Sequence, residues 1–112
     1  MGRRSGAPAQ ATPLTFSVRL RRAAELDIQE AQAWYEEQQA GLASHFSHEV
    51  DAVMARLSGT PLIYPVVYRE IRRAVLHRFP FLVWYEIAGS VVRVLACTHG
   101  RADPRKVKAK LR

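Results

Sequence analysis

"IRRAVLHRFPFLVWYEI", residues 71–87, holds the reading that decides the fold. It divides at Phe79–Pro80 into two short runs, the second rich in aromatic and β-branched residues (Phe81, Val83, Trp84, Tyr85, Ile87). Proline cannot donate to a strand ladder, so Pro80 belongs to the turn between two adjacent strands. Successive strand residues point to opposite faces, and Arg72 and Arg73 must therefore straddle the sheet. One of them is expected beside a helix layer, paired with an acid such as Glu30 or Asp51. The pair of strands is expected to be apolar toward the helices and basic outside.

Two more strands extend the meander. "AGS" (88–90) supplies a tight turn into "VVRVLACT" (91–98), whose near-continuous apolar character suits a central strand. On a regular strand Arg93, Cys97 and His99 share one parity, which would put His99 at the end of the face bearing Arg93. Upstream, "YPVVY" (64–68) contains Pro65 and fits only a short edge strand.

Earlier in the chain the period changes. "LTFSVRL" (14–20) alternates Leu14, Phe16, Val18 and Leu20 with polar neighbours, as a half-buried strand does. From Ala23, the residues Ala24, Ile28, Ala31 and Tyr35 recur on one helical face, and Gly41 stops that helix. Leu42, Phe46, Val50, Val53, Met54 and Leu57 mark a second helix, ended by "SGTP" (58–61). Two amphipathic helices joined so closely run antiparallel. The expected fold is α+β and two-layered: an N-terminal strand, an antiparallel helical hairpin, then a mostly antiparallel four-strand meander.

The 112 residues suffice for one domain, placed at 14–104, between a disordered tail (1–13) and a basic C-terminal tail (105–112) with room for one helical turn after Pro104. A chain that is 48% apolar buries a core without metal or disulfides. The lone Cys97 follows an apolar run and reads as a buried, inert thiol. No apolar run approaches about 18 residues and none follows Arg3 and Arg4, so neither a membrane nor a secretory role is implied. The cytoplasm is the expected location. The net charge of +7 is uneven. Acids concentrate between residues 23 and 70, whereas 71–112 holds only Glu86 and Asp103 against many cations.

Three segments together resemble the RelE/ParE family of type II toxin–antitoxin toxins: "WYEEQQAGLASHFSHEV" (34–50), "IRRAVLHRFPFLVWYEI" (71–87) and "VLACTHGRADP" (94–104). The resemblance spans about residues 15–105 and is nearer the ParE branch than RelE itself. It implies a sheet with the last strand beside the first. It also implies a cognate antitoxin, with an acidic tail, that neutralises the toxin in a hetero-oligomer. ParE-type toxins are implied to poison DNA gyrase, and RelE-type toxins to cut mRNA on the ribosome. No cofactor is implied.

Cleavage of RNA by its own 2′-hydroxyl needs a base, an acid and cations for the phosphorane. His99 with Arg72, Arg78 and Arg93 could supply these, with Glu70 a further candidate base. Against this, every tyrosine (Tyr35, Tyr64, Tyr68, Tyr85) precedes the last strand, so the C-terminal tyrosine implied for RelE-like sites is missing. His99 is as readily a strand-end histidine bonded to backbone, and His77 a solvated one. His45 and His48 have the spacing of paired metal ligands but no third partner, so no metal site is expected. A binding surface for target or antitoxin is the plainer use of Arg72, Arg73, His77, Arg78, Arg93, Arg101 and Arg105. A binding-type gyrase inhibitor is therefore favoured over a metal-independent endoribonuclease.

Overall fold

A computed structural model describes residues 15–112; the tail expected over 1–13, and Leu14, lie outside that range. Strand β1 (Ser17–Leu20) leads into helices α1 (Arg22–Gln38) and α2 (Leu42–Gly59), followed by a 3-10 turn (Pro61–Ile63). Strands β2 (Val66–Tyr68), β3 (Ile71–Val75), β4 (Phe81–Ala88) and β5 (Val91–His99) follow, then helix α3 (Pro104–Lys110). The sheet order is β1-β5-β4-β3-β2. β1 is parallel to β5 and every other pair is antiparallel. The last strand thus lies beside the first, as the resemblance implied.

The hairpin covers one sheet face. Ala24, Ile28 and Ala31 of α1, with Phe46, Val50, Val53 and Leu57 of α2, close over Val83, Tyr85, Val92 and Val94. At one end Tyr35, Phe46, Phe79 and Phe81 form an aromatic group with centroids 4.9 to 6.0 Å apart. Such pairs add about 0.5–1.5 kcal/mol each beyond their buried area. At the other end the buried Tyr85 hydroxyl donates to the Pro61 carbonyl at 2.5 Å, fastening the chain after α2 to the sheet centre. Burial pushes that phenol up to about 12, so it remains a donor across the ordinary pH range.

The hairpin turn is closed by one side chain. Gly41 takes φ 93°, a left-handed conformation that glycine adopts without a side-chain clash. Glu36 accepts from the Gly41 and Ala43 N–H groups, each at 3.1 Å, so the last turn of α1 caps the first turn of α2. Those two bonds hold the Glu36 carboxyl below its usual range.

Three features depart from expectation. The stretch read as a basic tail folds as α3: Asp103 caps it by accepting from the Arg105 N–H, and Val107 and Leu111 are buried. They pack with Ile71, Trp84, Leu95 and Ala96 on the face away from the hairpin, which is therefore partly covered rather than merely basic. Second, β5 bulges. Trp84 opposes Ala96 but Tyr85 opposes Val94, leaving Leu95 without a partner on β4. Third, Arg72 does reach the helix side, yet it pairs with no helix acid. Its guanidinium donates to the carbonyls of Leu62 and Tyr64, at 3.3 and 2.5 Å.

Tyr85→Phe leaves the Pro61 carbonyl unpaired and is expected to cost about 1–3 kcal/mol in urea unfolding. Glu36→Gln is expected to lower the melting temperature at neutral pH. A carboxyl with a lowered folded pKa stabilises above its unfolded value, and that contribution fades as pH falls through the folded value. The variant and parent should then converge in acid, which a pH series of melting curves measures.

Candidate functional site

The candidate site lies where β5 outruns its neighbour. β1 ends at Leu20, opposite Val94, so beyond the bulge the outer edge of β5 has no strand beside it. Unpaired edge backbone inside a fold must find other partners. Arg21 and Asp27 provide them. The Arg21 N–H donates to the Val94 carbonyl at 3.1 Å, and its Nε to the Leu95 carbonyl at 3.0 Å. The Asp27 carboxylate accepts from the Cys97 N–H at 2.9 Å.

The same two side chains hold α3. The second Asp27 oxygen meets the Lys110 ammonium at 2.6 Å, and the Arg21 guanidinium donates to backbone oxygens of Lys110 and Arg112. The Asp27 side chain is only 7% exposed whereas that of Lys110 is 45% exposed. The ammonium can therefore recover solvation if the pair breaks, and the carboxylate cannot. Cys97 is buried beside this carboxylate. Burial, with the Asp27 charge adding to it, pushes the thiol up to about 12, so it has little nucleophilic character.

The bulge decides where the predicted site residues stand. Val92 and Val94 face the hairpin, Leu95 and Ala96 both face α3, and Cys97 faces the hairpin again. The extra residue reverses the alternation, so Arg93 and His99 occupy opposite faces. Arg93 is exposed on the α3 face and pairs with Glu86 at 3.1 Å. His99 ends β5 against Phe81, with ring centroids 5.2 Å apart, and its Nδ1 accepts from the Arg101 N–H at 3.0 Å. Arg72 is engaged by carbonyls on the hairpin side. Arg78, at φ 73°, borders a surface hollow with His45, His48, Glu49 and Phe79, and His77 is exposed in the same turn. Arg105 lies in the first turn of α3 beside Asp103. The four groups proposed for RNA cleavage are thus not brought together.

His99 instead joins Arg73, already a binding candidate, and residues that the sequence reading gave no site role, Asp27, Lys106, Lys108 and Lys110. It stands between two hollows. One of about 190 Å³ is bordered by Arg73 and Lys108, the other of about 490 Å³ by Asp27, Glu30, Lys106 and Lys110. Arg73 lies over the Trp84 ring at 5.6 Å from its centroid. The role of Asp27 had a visible signal, since an acid three residues after Ala24 falls on the apolar stripe of its helix.

The family model for the ParE toxin of the type II toxin–antitoxin system, parDE, matches residues 18–104. Toxin ParE2 of Mycobacterium tuberculosis (strain CDC 1551 / Oshkosh) is 25% identical over 99 residues, covering 88% of this chain and 94% of that protein. Among solved structures, a chain of the chromosomal ParDE system from P. aeruginosa has a TM-score of 0.68 at 17% identity. The match covers 75% of this chain and 95% of that one. A chain of the toxin–antitoxin complex RelBE2 from Mycobacterium tuberculosis has a TM-score of 0.57 at 21% identity, covering 80% of this chain and 95% of that one. At those identities the structural likeness is one of fold.

Asp27→Ala is expected to cost about 1.5–3 kcal/mol, because it strips a buried charged acceptor from the Cys97 N–H. Lys110→Met should cost at least as much, since it leaves the buried Asp27 carboxylate without its counter-ion. Denaturant unfolding of the two variants measures the difference. Cys97 should resist alkylation at pH 8 in the folded protein and react fully in denaturant, as mass spectrometry of iodoacetamide-treated samples would record.

Proposed function

Because the chain belongs to the ParE toxin family of type II toxin–antitoxin systems, we propose that it acts by binding and inhibiting DNA gyrase in the cytoplasm. Its antitoxin partner would hold it inactive in a hetero-oligomer. The observation that carries this choice is the bulge at Leu95. By turning Arg93 and His99 to opposite faces, it separates the groups that RNA cleavage would need together. Arg72, a third member of that set, has its guanidinium engaged by two backbone carbonyls. Inhibition by binding makes no demand for a base, an acid and a phosphate-binding cation within reach of one scissile bond. It needs a surface of suitable shape and charge, and the strongly basic composition favours acidic partners.

The second reading, a ribosome-dependent mRNA endoribonuclease, is favoured only by the exposure of His99 next to Arg73, Lys106 and Lys108. One pair of assays divides the two. The purified toxin should block gyrase supercoiling and trap cleaved DNA, and cells induced for it should show no codon-positioned mRNA cuts. His99→Ala and Arg93→Ala should both remain toxic. Unimpaired supercoiling together with mRNA cuts that vanish in His99→Ala would transfer the protein to the ribonuclease reading.

A further inference from the structure

The hollow between α3 and the second sheet face has an unusual charge arrangement. Its floor is apolar, built from Leu82, Trp84, Val107 and Leu111, and among the described residues no carboxylate lines it. Its cations rest on aromatic rings rather than on acids. Arg73 lies over Trp84 and Lys108 over Tyr68, 5.3 Å from the ring centroid; Arg69, which does not line the hollow, also lies over Tyr68 at 5.2 Å. Ion pairs elsewhere in the described residues engage Arg22, Arg93, Arg105 and Lys110, and none of these three cations. Arg69 sits in the turn after β2 at φ 54°, a left-handed conformation that residues with a side chain seldom adopt.

A ring face draws a cation without neutralising it, so these groups retain their attraction for an anion. Two classes of acidic partner could use such a rim. Single-stranded nucleic acid would stack bases on open aromatic faces. Here Trp84 is 8% exposed and cations lie over both rings, so no open stacking platform is offered. The cavity, about 190 Å³, suits one apolar side chain rather than a run of bases. We propose that this slot is a docking site for an acidic peptide segment, which seats one apolar side chain on Trp84 and Leu82 and sets carboxylates against Arg73 and Lys108. The inference rests on the antitoxin partnership, since an acidic antitoxin segment is the occupant it calls for.

The test uses the full chain and a labelled synthetic peptide of aspartate and glutamate with one central leucine. Fluorescence anisotropy gives affinities for the parent, Arg73→Gln, Lys108→Gln and Arg22→Gln, the last an exposed cation on α1. Circular dichroism verifies that each variant is folded. In a Trp34→Phe background the remaining tryptophan, Trp84, reports occupancy of the slot through its emission. Binding should weaken about tenfold in Arg73→Gln and in Lys108→Gln, and stay unchanged in Arg22→Gln. Replacing the leucine of the peptide by serine should weaken binding similarly and abolish the Trp84 response. Equal binding of the leucine and serine peptides, equal losses at all three cations, a silent Trp84, or preferential displacement by a single-stranded oligonucleotide would each overturn the slot. No gyrase enters this assay. A protein that binds the peptide but spares gyrase therefore refutes the target alone, and one that poisons gyrase but ignores the peptide refutes the slot alone.

Discussion

The Asp27 carboxylate holds the structure together at its least protected point. A five-stranded sheet whose first strand is only four residues long leaves half of β5 without a neighbour on one side. Water could satisfy that backbone only if the edge were open, yet Cys97 and Ala96 are buried. One carboxylate oxygen closes the edge at the Cys97 N–H, and the other receives Lys110 from the end of α3. Arg21 does the complementary work, donating to edge carbonyls at Val94 and Leu95 and to backbone oxygens at the end of α3. A buried acid and a neighbouring arginine therefore fix α1, the bulged strand and the C-terminal helix relative to one another.

The functional consequences follow from the same place. The bulge sits where β1 stops, so the strand changes its alternation at the point where its pairing changes. Arg93 stays on the α3 face while His99 turns toward the hairpin side of the sheet end. Because α3 is fastened across the second face, that face becomes a cleft rather than an open basic sheet. Arg73 and Lys108, which line it, lie over Trp84 and Tyr68, and among the described residues no carboxylate lines the cleft. The slot proposed for an acidic segment therefore owes its walls to the anchoring of α3 across this face.

Much of the architecture was legible in the sequence. The three- and four-residue spacing of Ala24, Ile28 and Ala31, and of Phe46, Val50, Val53 and Leu57, placed both helices, because a buried stripe requires that period. The turn at Pro80 and the central character of residues 91–98 were equally readable. The bulge was not. Leu95 is as apolar as its neighbours, and no glycine marks the extra residue, so a uniform alternation was the only available assumption. Of the final helix only a single turn after Pro104 was legible; its lysines hid the packed face, although Val107 and Leu111 had helical spacing behind the Asp103–Pro104 capping signal. Arg72 went to carbonyls rather than to a helix acid because the chain leaving α2 passes beneath it, a contact across the fold that no local pattern records.

The register of β5 against β4 is the claim on which both the edge closure and the division of the site depend, and proton NMR tests it directly. Cross-strand nuclear Overhauser contacts should join Trp84 to Ala96 and Tyr85 to Val94. The Cys97 amide should exchange slowly in the parent and quickly in Asp27→Asn. A regular ladder that pairs Tyr85 with Leu95 would contradict the account, since it would return Arg93 and His99 to a single face.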